Sequence, residues 1–176
     1  MKSDYEYRLL IAQIHQDLGI PLDYAAKRHL TLQYEPEQLV AIENDVYNRP
    51  QQLDGRAAEQ WSKMKKAAAK NDIELLVVSA FRSAEYQKKI FENKLAKNQT
   101  IDAILRVNAA PGYSEHHTGN TLDITASGSE PLSEAFEKTS AFDWLVANAQ
   151  RFGFYVSYSR DNKHQFAYEP WHWTSR

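Results

Sequence analysis

Six histidines are available for chemistry: His15, His29, His116, His117, His164 and His172. Two of them have useful company. His116 sits in S-E-H-H-T-G-N-T-L-D, seven residues before Asp123, and His172 lies in E-P-W-H-W. Two imidazoles and one carboxylate are a sufficient ligand set for a catalytic zinc that keeps its fourth position open. Glu169, three residues before His172, supplies a carboxylate that is not itself a ligand. Such a group can take a proton from water activated by the metal. In a straight strand Glu169 would face away from His172, so this role requires the chain to bend at Pro170, which already restricts the backbone of Glu169. The same residues also fit a plainer reading: a His–Asp hydrogen bond, a buried histidine and a surface glutamate beside an aromatic cluster. His15, His29 and His164 read as ordinary surface or core histidines.

The elements that must position these groups follow from periodicity. T-L-D-I-T, 121–125, alternates polar and apolar residues, which puts Thr121, Asp123 and Thr125 on one face of a strand and Leu122 and Ile124 on the other. If 171–173 is extended, Trp171 and Trp173 pack to one side and His172 points to the other. The turn-forming segment 108–120 reads as a loop, and Gly119 lets it turn between His116 and Asp123 without a Cβ clash. I-E-L-L-V-V-S, 73–79, reads as a buried strand. Helices are expected over 4–17, over 55–70 capped by Asp54, over 84–97 capped by Ser83, over 101–107 capped by Thr100, and over 141–150 capped by Ser140. In the 55–70 helix Ala57, Trp61, Met64 and Ala68 form one apolar stripe, with Glu59 and Lys63 paired outside it. In the 141–150 helix the expected inner face is Phe142, Leu145, Val146 and Ala149. A short helix is expected at 36–46, and short aromatic strands over 154–174. The fold class is α+β, with a small antiparallel sheet flanked by helices. Residues 1–53 read as a helical wrapping arm, and 54–176 as one compact unit that carries the site.

Composition removes several alternatives. The chain has 176 residues, enough to bury a core without staples. Lys and Arg number 21 against 23 Asp and Glu, a formal net charge of −2, which argues against broad binding of nucleic acid. Cysteine is absent, so disulfides, thiolate metal sites and cysteine nucleophiles drop out together. No apolar run approaches the ~20 residues of a membrane span. The N-terminus lacks the apolar stretch of a signal peptide, so the expected compartment is the cytoplasm, or the periplasm if a leader has been cut away.

The motifs together are recognisable. S-x-H-x-x-G-x-x-x-D (Ser114, His116, Gly119, Asp123) followed by E-x-W-H (Glu169, Trp171, His172) resembles the VanY-type zinc D-alanyl-D-alanine carboxypeptidases, grouped with D-Ala-D-Ala dipeptidases and hedgehog-like domains. S-A-F-R-S-A-E-Y-Q, 79–87, is similar to that family's strand-to-helix segment, and the resemblance runs over roughly 72–174. It implies His116, Asp123 and His172 as ligands of one zinc per chain and Glu169 as catalytic base. It also implies Arg82 as the residue beside the scissile carbonyl, where a fixed guanidinium would stabilise a developing oxyanion. Ser114, Gln87 and Trp171 are expected to contact substrate. His117 adjoins a ligand but has no matching position. Thr121, where the family often has a small residue, is expected to narrow the site.

The implied substrate is a peptidoglycan stem peptide or muropeptide that loses its C-terminal D-alanine. A cytoplasmic enzyme that cut D-Ala-D-Ala would destroy wall precursors before export, whereas one cutting recycled tetrapeptides would not. The LD-carboxypeptidase reading is therefore favoured over DD-carboxypeptidase action on pentapeptides. Also open are a non-catalytic zinc module of hedgehog-like type, an endopeptidase acting inside the stem peptide and, more distantly, an aromatic sugar- or nucleic-acid-binding protein. The presence of both Glu169 and Arg82 speaks against the non-catalytic module.

Overall fold

The structure, a computed structural model, describes residues 3–176. Its centre is a four-stranded antiparallel sheet in the order β3 (Leu75–Ser79), β4 (Thr121–Ala126), β6 (His172–Ser175), β5 (Phe154–Val156). The alternation in T-L-D-I-T sends Leu122 and Ile124 into the main core, where they meet Leu75, Val77 and Trp173. The opposite face carries Asp123 and is buried as well, so the polar side of β4 is covered instead of solvated. Helix α3 (Gly55–Ala69) begins where Asp54 accepts a hydrogen bond from the Arg56 amide. It lays Ala57, Trp61, Met64 and Ala68 onto this core, and Glu59 pairs with Lys63 at 2.6 Å on its outer face.

The second core lies on the site's other flank. Helix α4 (Ala84–Leu95) starts at Ser83, whose side chain accepts from the Tyr86 amide, and α5 (Ile101–Val107) starts at Thr100 in the same manner. Helix α1 (Asp4–Leu18), closed by a Ser3–Glu6 capping box, packs Tyr7, Ile11, Ile14 and Leu18 against Phe91 of α4 and Ile104 and Leu105 of α5. The N-terminal segment therefore braces the helix that follows Arg82.

Three expectations need correction. No helix forms over 36–46; Val40–Ala41 is strand β1, paired with β2 (Gln52–Leu53), and the one short helix of that region is α2 (Tyr24–Lys27). The backbone of 36–46 is claimed by neighbours: the Ile42 amide donates to Gln51 O and the Val46 amide to Val77 O. Helix α6 (Ser140–Asn148) is capped by Thr139, one residue before the expected Ser140, and its Val146 is 61% exposed while Ala141, Leu145 and Ala149 are buried. The loop over 108–120 contains a short 3-10 turn at Glu115–Thr118.

Candidate active site

Strand register brings the distant groups together. Asp123 of β4 is the direct antiparallel partner of His172 on β6 and of Ser79 on β3. His116 lies on the 3-10 turn just before β4, and Gly119 returns the chain at φ 69°, a left-handed conformation that favours glycine. A Cβ at Gly119 would lie 2.8 Å from the Asp54 amide nitrogen, which donates to Gly119 O. One atom each from His116, Asp123 and His172 fall within 4.8 Å of one another, and all three residues are buried.

The two histidines are held in complementary ways. His116 Nδ1 donates to Ala80 O at 2.6 Å, which fixes the proton on that nitrogen. Its Nε2 is buried, 3.3 Å from Asp123 Oδ2, and makes no hydrogen bond among the described residues. Burial holds this ring neutral, with its pKa lowered to about 4. A lone-pair nitrogen therefore faces a carboxylate, an arrangement that a cation between them would satisfy. His172 Nδ1 lies 3.1 Å from Asp123 Oδ1 and its Nε2 lies 3.0 Å from Glu115 Oε2. Burial disfavours charge on this ring, but hydrogen bonds to Asp123 and Glu115 outweigh it and push the pKa up to about 10. Burial likewise opposes charge on Asp123, yet the protonated His172 and Arg82 beside it hold its carboxyl well below the ordinary range.

Arg82 follows β3 and is locked on three sides. Its Nη1 donates to Ser79 Oγ at 2.7 Å and to Asp123 Oδ2 at 3.3 Å, and its Nε donates to Gln87 Oε1 at 3.2 Å. Gln87, expected to face the cleft, is instead fully buried and ties Arg82 to Ala109 O. The required bend at Pro170 is present: the His172 amide donates to Glu169 O, and Glu169 Oε2 reaches within 3.7 Å of His172 Nδ1. Burial raises the Glu169 carboxyl to about 7.

Arg82, His116, Asp123, Glu169 and His172 line a cleft of about 640 Å³, with Ser114 and Trp171 in its wall. A second lobe of about 710 Å³, walled by Tyr47, Phe81 and Tyr86, shares Arg82 and Asp123 with it. His117 takes no part: its Nδ1 donates to Arg82 O and its Nε2 accepts from the Gly112 amide, a backbone-bracing role. Thr121 does not narrow the cleft, because it is buried against Thr174 with their hydroxyls 3.0 Å apart. Sequence reasoning does not reach three groups in or beside the cleft. Glu115 contacts His172 across 57 residues of chain, Tyr158 stacks on the His172 ring at 4.3 Å, and half-buried Lys94 lines the wall. The only local signal was for Glu115, placed between Ser114 and His116.

Residues 50–175 match the family model VanY, D-alanyl-D-alanine carboxypeptidase. The chain is 36% identical over 148 residues to the putative carboxypeptidase YodJ of Bacillus subtilis (strain 168), covering 79% of this chain and 53% of that protein. It is 27% identical over 142 residues to a D-alanyl-D-alanine carboxypeptidase of Enterococcus faecalis, covering 75% of this chain and 51% of that one. The chain thus spans about half the length of these curated relatives. Among solved structures, the LdcB LD-carboxypeptidase superposes with a TM-score of 0.72 at 34% identity, over 81% of this chain and 69% of its own. A mutant D,D-pentapeptidase VanY from the VanB-type vancomycin resistance cassette, in complex with Zn(II), gives 0.62 at 25% identity, over 83% and 86%. The family match extends past the motif region to include helix α3.

Proposed function

The chain belongs to the VanY family of D-alanyl-D-alanine carboxypeptidases, and we propose on that footing that it is a zinc carboxypeptidase of peptidoglycan stem peptides. We assign His116, Asp123 and His172 as the metal ligands. The observation that carries this is the neutral, unpartnered Nε2 of His116 facing the Asp123 carboxylate inside a buried His–Asp–His group. The donor set of two nitrogens and one oxygen suits zinc. Zinc bound there would polarise the scissile carbonyl and lower the pKa of a water in the cleft.

The protein's own groups supply the rest. Glu169 takes the water's proton and returns it to the leaving amine. Burial raises this carboxyl above the ordinary range, which makes it a stronger proton acceptor than an exposed glutamate. Arg82, immobilised through Nε and Nη1, offers Nη2 to the oxyanion of the tetrahedral intermediate; a preorganised donor of this kind needs no reorganisation as charge develops. Gln87 positions Arg82, while Ser114 and Trp171 contact the departing residue. The two lobes meeting at Arg82 and Asp123 give room for chain on either side of the scissile bond. The segment before residue 50, outside the family match, we read as an arm that steadies α4.

Within this class we favour the LD reading, removal of D-alanine from a tetrapeptide. What supports it is the higher identity and TM-score to the LdcB LD-carboxypeptidase than to the D,D-pentapeptidase VanY. The test is metal analysis of the purified protein together with mass spectrometry after incubation with tetra- and pentapeptide stems. Alanine loss from the tetrapeptide is expected, and loss from the pentapeptide alone would reassign the enzyme as a DD-carboxypeptidase. No alanine loss from either, with zinc still bound, would leave the hydrolase assignment overturned.

A further inference from the structure

Of all the polar groups around the proposed metal, Glu115 has the most specific contact and no assigned role. The 3-10 turn that presents His116 also turns Glu115 toward His172, placing Oε2 3.0 Å from Nε2. The carboxylate is only 23% exposed. The two nitrogens of the His172 ring therefore have separate partners: Nδ1 faces Asp123 and Nε2 faces Glu115. Tyr158 stacks on the same ring at 4.3 Å and 13°, which sets its plane but leaves its choice of proton open. His116 has a backbone carbonyl at its outer nitrogen, Ala80 O, so the two imidazoles present opposite atoms to the centre, Nε2 from His116 and Nδ1 from His172.

We propose that Glu115 is a positioning residue: it holds the Nε2 proton of His172, so that this ring binds metal through Nδ1 and in one orientation. A ligating histidine whose other N–H is donated to a carboxylate is fixed in tautomer and made a stronger donor. Glu115 cannot do the same work as a ligand, because it sits on the side of the ring away from Asp123. The proposal rests on the metal reading above and adds to it which nitrogen binds and why.

The experiment uses zinc-loaded protein. Long-range proton–nitrogen NMR of wild type should show the His172 Nδ1 shifted by metal and an Nε2 proton protected from exchange with water. Glu115→Ala should lose that protection, and zinc release into excess chelator should accelerate by roughly tenfold or more, the scale seen when outer-shell partners are removed. Glu115→Gln keeps an acceptor oxygen at the same place, so it should retain the protected proton and release zinc within about threefold of wild type. Release is read in place of affinity because it does not depend on the protonation of the metal-free site. His172 bound through Nε2 in the wild type would overturn the proposal, and that measurement needs no variant to fold. So would Glu115→Ala with a protected proton and wild-type release. A wild-type protein that binds no zinc at all would instead count against the metal reading itself.

Discussion

Filling the site should expel protons, and the number follows from the groups around it. With no metal bound, His172 has its pKa raised to about 10 by Asp123 and Glu115 despite burial. At pH 7 it lies three units below that value and is fully protonated. A metal needs the lone pair, so one proton must leave. Displacing it costs about 4 kcal/mol at pH 7, at roughly 1.4 kcal/mol per unit. Glu169, pushed up to about 7, is half protonated at that pH, and a nearby dication favours its charged form. His116, lowered to about 4, and Asp123, held well below its ordinary range, have nothing to release. Zinc binding at pH 7 should therefore release about one and a half protons from these side chains, to which ionisation of a water in the cleft would add, and apparent affinity should fall at least tenfold for each unit of pH lost below neutrality. Calorimetric titration in two buffers of equal pH and different ionisation enthalpy measures the release directly. Glu169→Gln should reduce it to about one. A release below half a proton in the wild type would mean that His172 is neutral before metal arrives, and the electrostatic account of the site would be wrong. Identical release in wild type and Glu169→Gln would remove Glu169 from it.

Three further outcomes are expected. Glu169→Gln should retain zinc while kcat falls by ~10²–10⁴, the range for a lost general base, and turnover near wild type would exclude that role. Arg82→Lys cannot reproduce the fork that spans Ser79, Gln87 and Asp123, so kcat should fall ~10²-fold or more with zinc content unchanged; equal kcat would show that the guanidinium does not meet the developing charge. Gly119→Ala combines a left-handed backbone with a Cβ 2.8 Å from the Asp54 amide, and should destabilise the fold by about 1–2 kcal/mol from the backbone conformation alone, with the close contact adding to it; urea unfolding with an unchanged midpoint would refute that reading of the turn.

Strand β4 was legible because only one of its two buried faces joins the apolar core: Leu122 and Ile124 alternate with the polar Thr121, Asp123 and Thr125. Glu169 was legible because Pro170 marks a place where a straight strand is hard to sustain. The failures have a common physical form. Leu39, Ile42 and Val46 recur at helical spacing, yet Gln51, just before β2, and Val77 on β3 claim the backbone there, and nothing local announces them. Gln87 was placed correctly on its helix, but only the fold shows that it turns inward to Arg82 and not outward to a ligand. Glu115 is hidden for the same reason, since its partner on β6 lies 57 residues further along the chain.

The charges around the site suggest why so many ionisable groups can be buried together. Before metal binds, Arg82 and the protonated His172 carry two positive charges, against Asp123 and Glu115 with two negative, while Glu169 titrates near pH 7. With Glu169 protonated, these five groups sum to zero, half-buried Lys94 on the cleft wall lying outside the set. A divalent cation that displaced the His172 proton and ionised Glu169 would leave three positive charges, two on the metal and one on Arg82, against three carboxylates. The cluster is neutral again. An isolated buried charge is costly and a compensated set much less so, so the fold need not be rebuilt to exchange two protons for one metal ion. The same balance ties the base to the metal. A Glu169 that serves as the base would therefore be ionised fully with the cation bound and only about half ionised at neutral pH without it.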